Sequence, residues 1–159
     1  MSEPGTVAHR LAELGITLPR VAAPVAAYVP AVRSGNHVWT AGQLPFVDGV
    51  LPVTGKVGTA DGLVTPEQAR EMARIAALNA LAAVGELAGS LDRIRRVVKV
   101  VGFVASDPSF TGQPQVVNGA SELLGQVFGE AGVHARSAVG VTVLPLDAPV
   151  EVELVVELR

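Results

Sequence analysis

The final 26 residues carry the clearest pattern of hydrophobic and polar positions in the chain. Two β-type runs, Ala135–Val143 and Val150–Leu158, flank the segment Leu-Pro-Leu-Asp-Ala-Pro. The prolines and the aspartate of that segment are typical of a turn and cannot extend a ladder of backbone hydrogen bonds. The pattern predicts a strand, a turn and a strand. The simplest pairing is a hairpin that places Arg136 opposite Glu157.

Alternation of side chains between the faces of each strand predicts one apolar face and one face that carries charged and small side chains. The apolar face comprises Ser137, Val139, Val141 and Val143 of the first strand and Val150, Val152, Leu154, Val156 and Leu158 of the second. The other face comprises Arg136, Ala138, Gly140 and Thr142, followed by Glu151, Glu153, Val155 and Glu157. We therefore expect the arginine and the three glutamates to share one side of the sheet.

Arg136 has two interpretations on this predicted face. A guanidinium beside small side chains leaves a hollow for a small carboxylate, which arginine binds bidentately. Alternatively, Arg136 pairs with a glutamate across the hairpin and binds nothing else. The hairpin also places Glu151 roughly 20 Å from Arg136 along the sheet. These two residues share a site only if the strands pair otherwise or if subunits meet.

The remaining pattern predicts an α+β domain with element order β-β-α-β-α-β-β. Thr65, Pro66 and Gln68 are typical of a helix N-terminus with a capping box, and Gly89 of its end. The other predicted elements are a helix at Val7–Leu14, strands at Val29–Arg33, His37–Ala41 and Ile94–Ala105, a short strand near Leu51–Val53, and a helix from Gln113 to Gly129. Both main helices are expected on one face of a mostly antiparallel or mixed sheet. The other face then requires cover, which another copy of the chain would supply.

Composition narrows the class of protein. At 159 residues, 49% of them hydrophobic, the chain suits one domain that also buries apolar surface between subunits. There is no cysteine, so disulfides, thiolate nucleophiles and thiolate metal sites are excluded. The formal net charge of −3 argues against binding to nucleic acid, which requires a basic surface. The sequence shows neither signal-peptide features nor an apolar run long enough for a membrane helix, so we expect a soluble cytoplasmic protein.

Candidate chemistry is limited to a few residue types. The three histidines, His9, His37 and His134, lack metal-ligand spacing, so no metal site is expected. Phosphate-binding and nucleophile-elbow motifs are absent from the sequence. A set containing arginine, glutamate, a strand-end glycine, a tyrosine and an asparagine remains, which suits the binding of a small carboxylate and the orientation of water.

Several short motifs resemble the RidA/YjgF family of reactive-intermediate deaminases. The C-terminal ones are Arg136-Ser137, Leu144-Pro145 and Val150-Glu151-Val152-Glu153. The others are Tyr28-Val29, Ser34-Gly35-Asn36, Thr40-Ala41-Gly42-Gln43-Leu44-Pro45, Phe103-Val104 and Val117-Asn118, in the family's order and at similar spacing. The resemblance covers about Ala23 to Leu158. It implies an N-terminal extension with a short helix at residues 1–22 and a single domain at residues 23–159.

The resemblance also implies a fold, an assembly and an activity. Family members have a chorismate-mutase-like fold and form homotrimers with ligand clefts between subunits. Arg136 matches the arginine that binds the substrate carboxylate, and Glu151 matches the acid that positions the hydrolytic water. Gly42 matches a backbone contact to the ligand, while Tyr28 and Asn118 match polar walls. The implied reaction is hydrolysis of 2-imino or 2-enamino acids to 2-keto acids and ammonia, with no cofactor because an imine is already electrophilic.

Two positions depart from the family pattern, and two other functions stay open. Ala138 stands where well-studied deaminases carry cysteine, and His134 stands where proline is usual, so the pocket shape is expected to differ. One alternative is a trimer that binds a metabolite and regulates without turnover. The other is an endoribonuclease, which the acidic composition disfavours.

Overall fold

The computed structural model describes residues 5–21, 23–24 and 27–159. Within them, the elements are α1 (Val7–Glu13), β1 (Ala31–Ser34), β2 (His37–Thr40), α2 (Pro66–Ala88), β3 (Ile94–Ala105), α3 (Gln113–Phe128), β4 (Ala135–Val141) and β5 (Val150–Leu158). The predicted order of strands and main helices is confirmed. The short strand near Leu51–Val53 is wrong, because this part of the loop forms no ladder.

The five strands form one mixed sheet in the order β1-β2-β5-β3-β4. β3 and β4 are parallel, whereas the other neighbouring pairs are antiparallel. Helices α2 and α3 pack against each other and against this sheet, and the buried core lies between the two layers. This arrangement confirms the α+β chorismate-mutase-like fold and the placement of both helices on one face.

The predicted hairpin between the last two strands is wrong. β4 pairs only with β3, from Lys99 opposite Ala135 to Ala105 opposite Val141. β5 lies on the other side of β3 and fills the space between β2 and β3. The two strands are separated because the β3–α3–β4 unit is a parallel crossover, which carries β4 to the sheet edge. The chain then passes over the end of β3, where the amide of Ala105 donates to the carbonyl of Pro149.

The predicted faces are right for β5 and wrong for β4. Val150, Val152 and Leu154 are buried under the helices, so the glutamates between them face the uncovered side of the sheet. In the β3–β4 register, Val100 pairs with Arg136, and Val100 is fully buried on the helix side. Arg136 therefore faces the helix layer. The valines of β4 that the pattern assigns to the core point instead to the uncovered face of the sheet. Their exposure removes little from the core, because β4 is an edge strand at the margin of the core.

Helix α2 begins as the sequence predicts. Thr65 accepts from the backbone of Gln68 at 3.1 Å, and the Gln68 side chain accepts from the Thr65 amide at 3.0 Å. The helix ends at Gly89, whose φ of 83° is the left-handed conformation that glycine adopts at least cost. Both signals involve only residues close in the chain, so the sequence alone predicts where the helix begins and ends.

We expect Gly119→Ala to destabilise the protein by about 1–3 kcal/mol, because overpacking a tight contact forces backbone shifts. A Cβ at Gly119 would overlap the backbone carbonyl oxygen of Arg70 on α2. Gly125 is the matched control on the same helix, since a Cβ there meets nothing within 4 Å. Gly125→Ala should stabilise by about 0.4–1 kcal/mol. Urea denaturation of both variants tests this pair, and equal effects would contradict close packing of α2 on α3.

The sheet face opposite the helices has no covering layer in the described part of the chain. Trp39 is 52% exposed there, beside Val32 and across the sheet from Val139. Large apolar side chains exposed together on one face mark a surface that another molecule covers. None of the described helices combines the length and apolar character required to cross a membrane.

Candidate functional site

Arg136 is held on β4 by two side chains of α3. Its Nη1 atom donates to Oδ1 of Asn118 at 2.7 Å and to Oγ of Ser121 at 3.2 Å. Asn118 and Ser121 are three positions apart, so they lie on the same face of the helix. The described residues place no carboxylate oxygen within 4 Å of the Arg136 guanidinium. The interpretation in which a strand glutamate satisfies Arg136 is therefore wrong.

The free part of the Arg136 guanidinium has a defined shape. A guanidinium has five N–H donors, and Asn118 and Ser121 use the two on Nη1. No described residue accepts from Nε or Nη2, which together form the side-on fork that binds both oxygens of a carboxylate. The contact of Asn118 with a ligand stays a prediction; in the structure its side chain accepts a hydrogen bond from Arg136 and so orients the arginine. Its amide nitrogen remains available as a donor because its oxygen must face the donor-only guanidinium.

His134 and Ser121 extend this cluster. Oγ of Ser121 lies 2.9 Å from Nε2 of His134, whose Nδ1 lies 2.6 Å from the carbonyl oxygen of Gly132. Neither residue is among the site residues predicted from the sequence. Two spacings carry a signal for them: His134 is two positions before Arg136, and Ser121 is three positions after Asn118. The second spacing places Asn118 and Ser121 on a common face of α3, and the first places His134 immediately before the start of β4 at Ala135.

Glu151 lies on the opposite side of the sheet against Gly42. A Cβ at Gly42 would overlap Oε1 of Glu151, so glycine is what lets the carboxylate occupy this position. The segment containing Gly42 is held alongside β5 because Gln43 and Val152 exchange backbone hydrogen bonds of 2.8 and 3.0 Å. Burial raises the pKa of Glu151, and the nearby charge of Glu153 raises it further. A carboxylate with a raised pKa suits proton transfer near neutral pH.

Arg136 and Glu151 cannot contact one small ligand within a single subunit. Arg136 pairs with Val100 and Glu151 with Phe103 on β3, and the register between these two positions is regular. Three residues along a strand reverse the side to which side chains point, so the two groups face opposite sides of the sheet. Their Cα atoms are about 14 Å apart, given three residues along the strands and two strand spacings across them.

Tyr28 is the remaining predicted site residue. It precedes β1 in an irregular segment, and half of its surface is exposed. No described residue forms a hydrogen bond with its hydroxyl. The structure brings Arg136 and Asn118 together, and Gly42 and Glu151 together, but it does not join Tyr28 to either pair.

The chain matches known proteins over nearly its whole length. A family model described as "YjgF/chorismate_mutase-like, putative endoribonuclease" matches residues 8–158. The chain belongs to the YjgF family. A relative, Protein TCP17 of Trypanosoma cruzi, is 47% identical over 156 residues, covering 98% of this chain and 96% of TCP17.

Solved structures agree with YjgF membership. The crystal structure of a "putative endoribonuclease" from Shewanella oneidensis has a TM-score of 0.91 at 36% identity, covering 97% of this chain and 100% of that one. The structure of E. coli TdcF with bound serine has a TM-score of 0.59 at 26% identity, covering 88% of this chain and 94% of TdcF. A protein with this architecture therefore holds a small amino acid.

The N-terminal segment of this YjgF-family chain forms a separate hollow. A cavity of about 910 Å³ lies between residues 17–21 and 23, residues 46–49 and the α2 side chains of Ile75, Leu78 and Asn79. None of the predicted site residues lines it. Asn79 anchors its loop wall by donating to the carbonyls of Leu44 and Phe46 at 3.0 and 3.1 Å.

Replacing Glu151 by glutamine is expected to stabilise the protein at neutral pH. The folded-state pKa of Glu151 lies above its ordinary value of 4.5, so the ionised side chain costs stability above that raised pKa. The cost disappears as pH falls below 4.5, where both states are protonated. Thermal denaturation should show a melting temperature a few degrees higher at pH 7 and no difference at pH 4.

Glu157→Gln is the control for this pH dependence. Glu157 lies on the same face but has Arg95 within 3.6 Å, so neutralising it removes an attraction and relieves no buried charge. A stabilisation of Glu151→Gln that persisted unchanged at pH 4 would show that the raised pKa is not its cause.

Proposed function

We propose that this YjgF-family protein hydrolyses 2-imino and 2-enamino acids to 2-keto acids and ammonia. The observation that carries the proposal is the free side-on fork of Arg136, formed by Nε and Nη2. The third nitrogen, Nη1, is held in place by its hydrogen bonds to Asn118 and Ser121. Such a fork suits a planar carboxylate next to a reactive carbon. The bound serine in TdcF supports a ligand of this size.

The site is proposed to form between two subunits of a homotrimer. In one chain, Arg136 and Glu151 face opposite sides of the sheet, so a common ligand requires a second copy. The exposed apolar face around Trp39 supplies surface for such contacts. We name Arg136 with Asn118 the carboxylate half-site, and Glu151 with Gly42 the water half-site. Tyr28 is proposed to line the assembled site.

The proposed chemistry requires one proton carrier. Arg136 of the carboxylate half-site holds the substrate carboxylate, and Glu151 of the neighbouring subunit accepts a proton as water attacks the C=N carbon. Glu151 then returns this proton to the nitrogen, which gives a carbinolamine with one hydroxyl and one amino group. In the second step Glu151 takes the hydroxyl proton and passes it to the nitrogen, so the C–N bond breaks with loss of ammonia and the C–O bond becomes the carbonyl of the 2-keto acid. The raised pKa of Glu151 favours both transfers near neutral pH.

The direct test is ammonia release from a 2-imino acid produced in the assay by an amino-acid oxidase. We expect the protein to accelerate release over the spontaneous rate, and we expect Arg136→Ala to remove the acceleration. A protein that leaves the spontaneous rate unchanged, at any concentration, contradicts the proposal.

A binding protein without turnover is the second candidate, favoured by the serine complex of TdcF. It predicts that a 2-keto or amino acid binds to Arg136 while ammonia release stays at the spontaneous rate. Endoribonuclease activity is suggested by the family description. The glutamates on the water half-site face, Glu151, Glu153 and Glu157, repel phosphates, and we expect no RNA cleavage that depends on Glu151.

A further inference from the structure

The Gly132 carbonyl determines the direction of a short hydrogen-bond chain that leads to Arg136. A backbone carbonyl only accepts, so Nδ1 of His134, at 2.6 Å, must carry the proton of the neutral imidazole. Nε2 is then the acceptor. Ser121, at 2.9 Å from Nε2, must donate its only proton to His134.

The consequence for Ser121 is that its oxygen offers only lone pairs to other partners. Nη1 of Arg136 lies 3.2 Å away and is a donor, so the two groups match. A serine hydroxyl without His134 rotates freely and can turn its proton toward the guanidinium. His134 therefore fixes the orientation of the Ser121 hydroxyl, which is free to rotate in the absence of His134.

We propose that Ser121 and His134 are positioning residues for Arg136, which aim its Nε–Nη2 fork at the substrate carboxylate. The inference rests on the proposed function for the identity of the ligand. Asn118 occupies one hydrogen of Nη1 and Ser121 the other, and together they fix the plane of the guanidinium. With only Asn118, the plane can turn about one hydrogen bond, and a bidentate carboxylate loses its alignment.

Pyruvate, the smallest stable 2-keto acid, is the probe for the binding test. Calorimetry should show that Ser121→Ala weakens binding on the order of tenfold, because a hydrogen bond to a charged group is lost. Ser121→Thr keeps the hydroxyl and should stay within about twofold. His134→Leu should weaken pyruvate binding as much as Ser121→Ala does. His134→Gln retains a hydrogen-bond acceptor for Ser121 and should therefore bind pyruvate with wild-type affinity.

The double variant separates a relay from two independent packing effects. If His134 acts through Ser121, Ser121→Ala with His134→Leu binds pyruvate no more weakly than Ser121→Ala alone. Losses that multiply, or a Ser121→Ala variant with wild-type affinity, overturn the inference.

Nitrogen NMR of arginine-labelled protein tests the positioning without any ligand. In the wild type, the NMR signals of the Nη1 hydrogens of Arg136 should be distinct and exchange slowly. In Ser121→Ala these signals should average with those of Nη2, and in Ser121→Thr the distinct signals should return. Identical spectra in wild type and Ser121→Ala overturn the inference whatever the activity. A wild type that shows these signals and binds pyruvate but releases no ammonia refutes the hydrolysis alone, and the positioning role stands.

Discussion

Mixing Arg136→Ala subunits with Glu151→Gln subunits is expected to restore activity that neither variant has alone. Each variant loses one half-site, and both lose most activity: general-base loss alone costs on the order of 10²–10⁴ in rate. Because the two residues face opposite sides of the sheet, a mixed assembly can join an intact carboxylate half-site to an intact water half-site.

Random mixing of the two kinds of subunit determines how much activity the mixed assembly regains. In a closed ring of head-to-tail contacts, equal mixing gives about one quarter of the sites two intact halves. Co-expression of the two variants, followed by the ammonia assay, should therefore return about a quarter of the wild-type activity per site.

A chain carrying both substitutions is the control for this experiment. Mixed with itself it has no intact half-site and should stay inactive after the same treatment. If the mixture of single variants also stays inactive while subunits demonstrably exchange, the site is not shared between subunits.

Gly42→Ala is expected to lower turnover by about 10²-fold, the cost of misplacing a catalytic group by about 1 Å. The new Cβ would overlap Oε1 of Glu151, and the end of this long side chain can move at lower cost than the backbone. The position requires no left-handed φ, so alanine fits the backbone, and the melting temperature should change little. Steady-state kinetics and thermal denaturation of the same preparation measure both effects.

Two further variants show whether the loss arises from Glu151. Gly125→Ala, in open space on α3, is the matched control and should keep full activity. Combining Gly42→Ala with Glu151→Gln should cost no more than Glu151→Gln alone, since the displaced group is already inactive. Multiplying losses would instead indicate that the Gly42 backbone itself contacts the ligand, as the family resemblance suggests.

Local features were predictable because they depend on neighbours in the chain. The capping box at Thr65, the Gly89 terminus and the two-residue turn between β1 and β2 are settled within a few residues. The candidate site residues could also be proposed from the sequence, because arginine and glutamate beside small side chains suit the binding of a carboxylate and of water.

The sequence by itself determined the order of the main helices and strands and singled out Arg136 and Glu151 as candidate site residues. Only the tertiary structure decided which strands pair, because pairing depends on β3, which precedes β4 by a whole helix and accepts partners on both edges. That insertion of β3 between β4 and β5 turned Arg136 toward the helices and left Glu151 on the uncovered face. The partners of Arg136, including His134 and Ser121, follow from the same placement, since side chains far apart in the chain meet only when the layers pack.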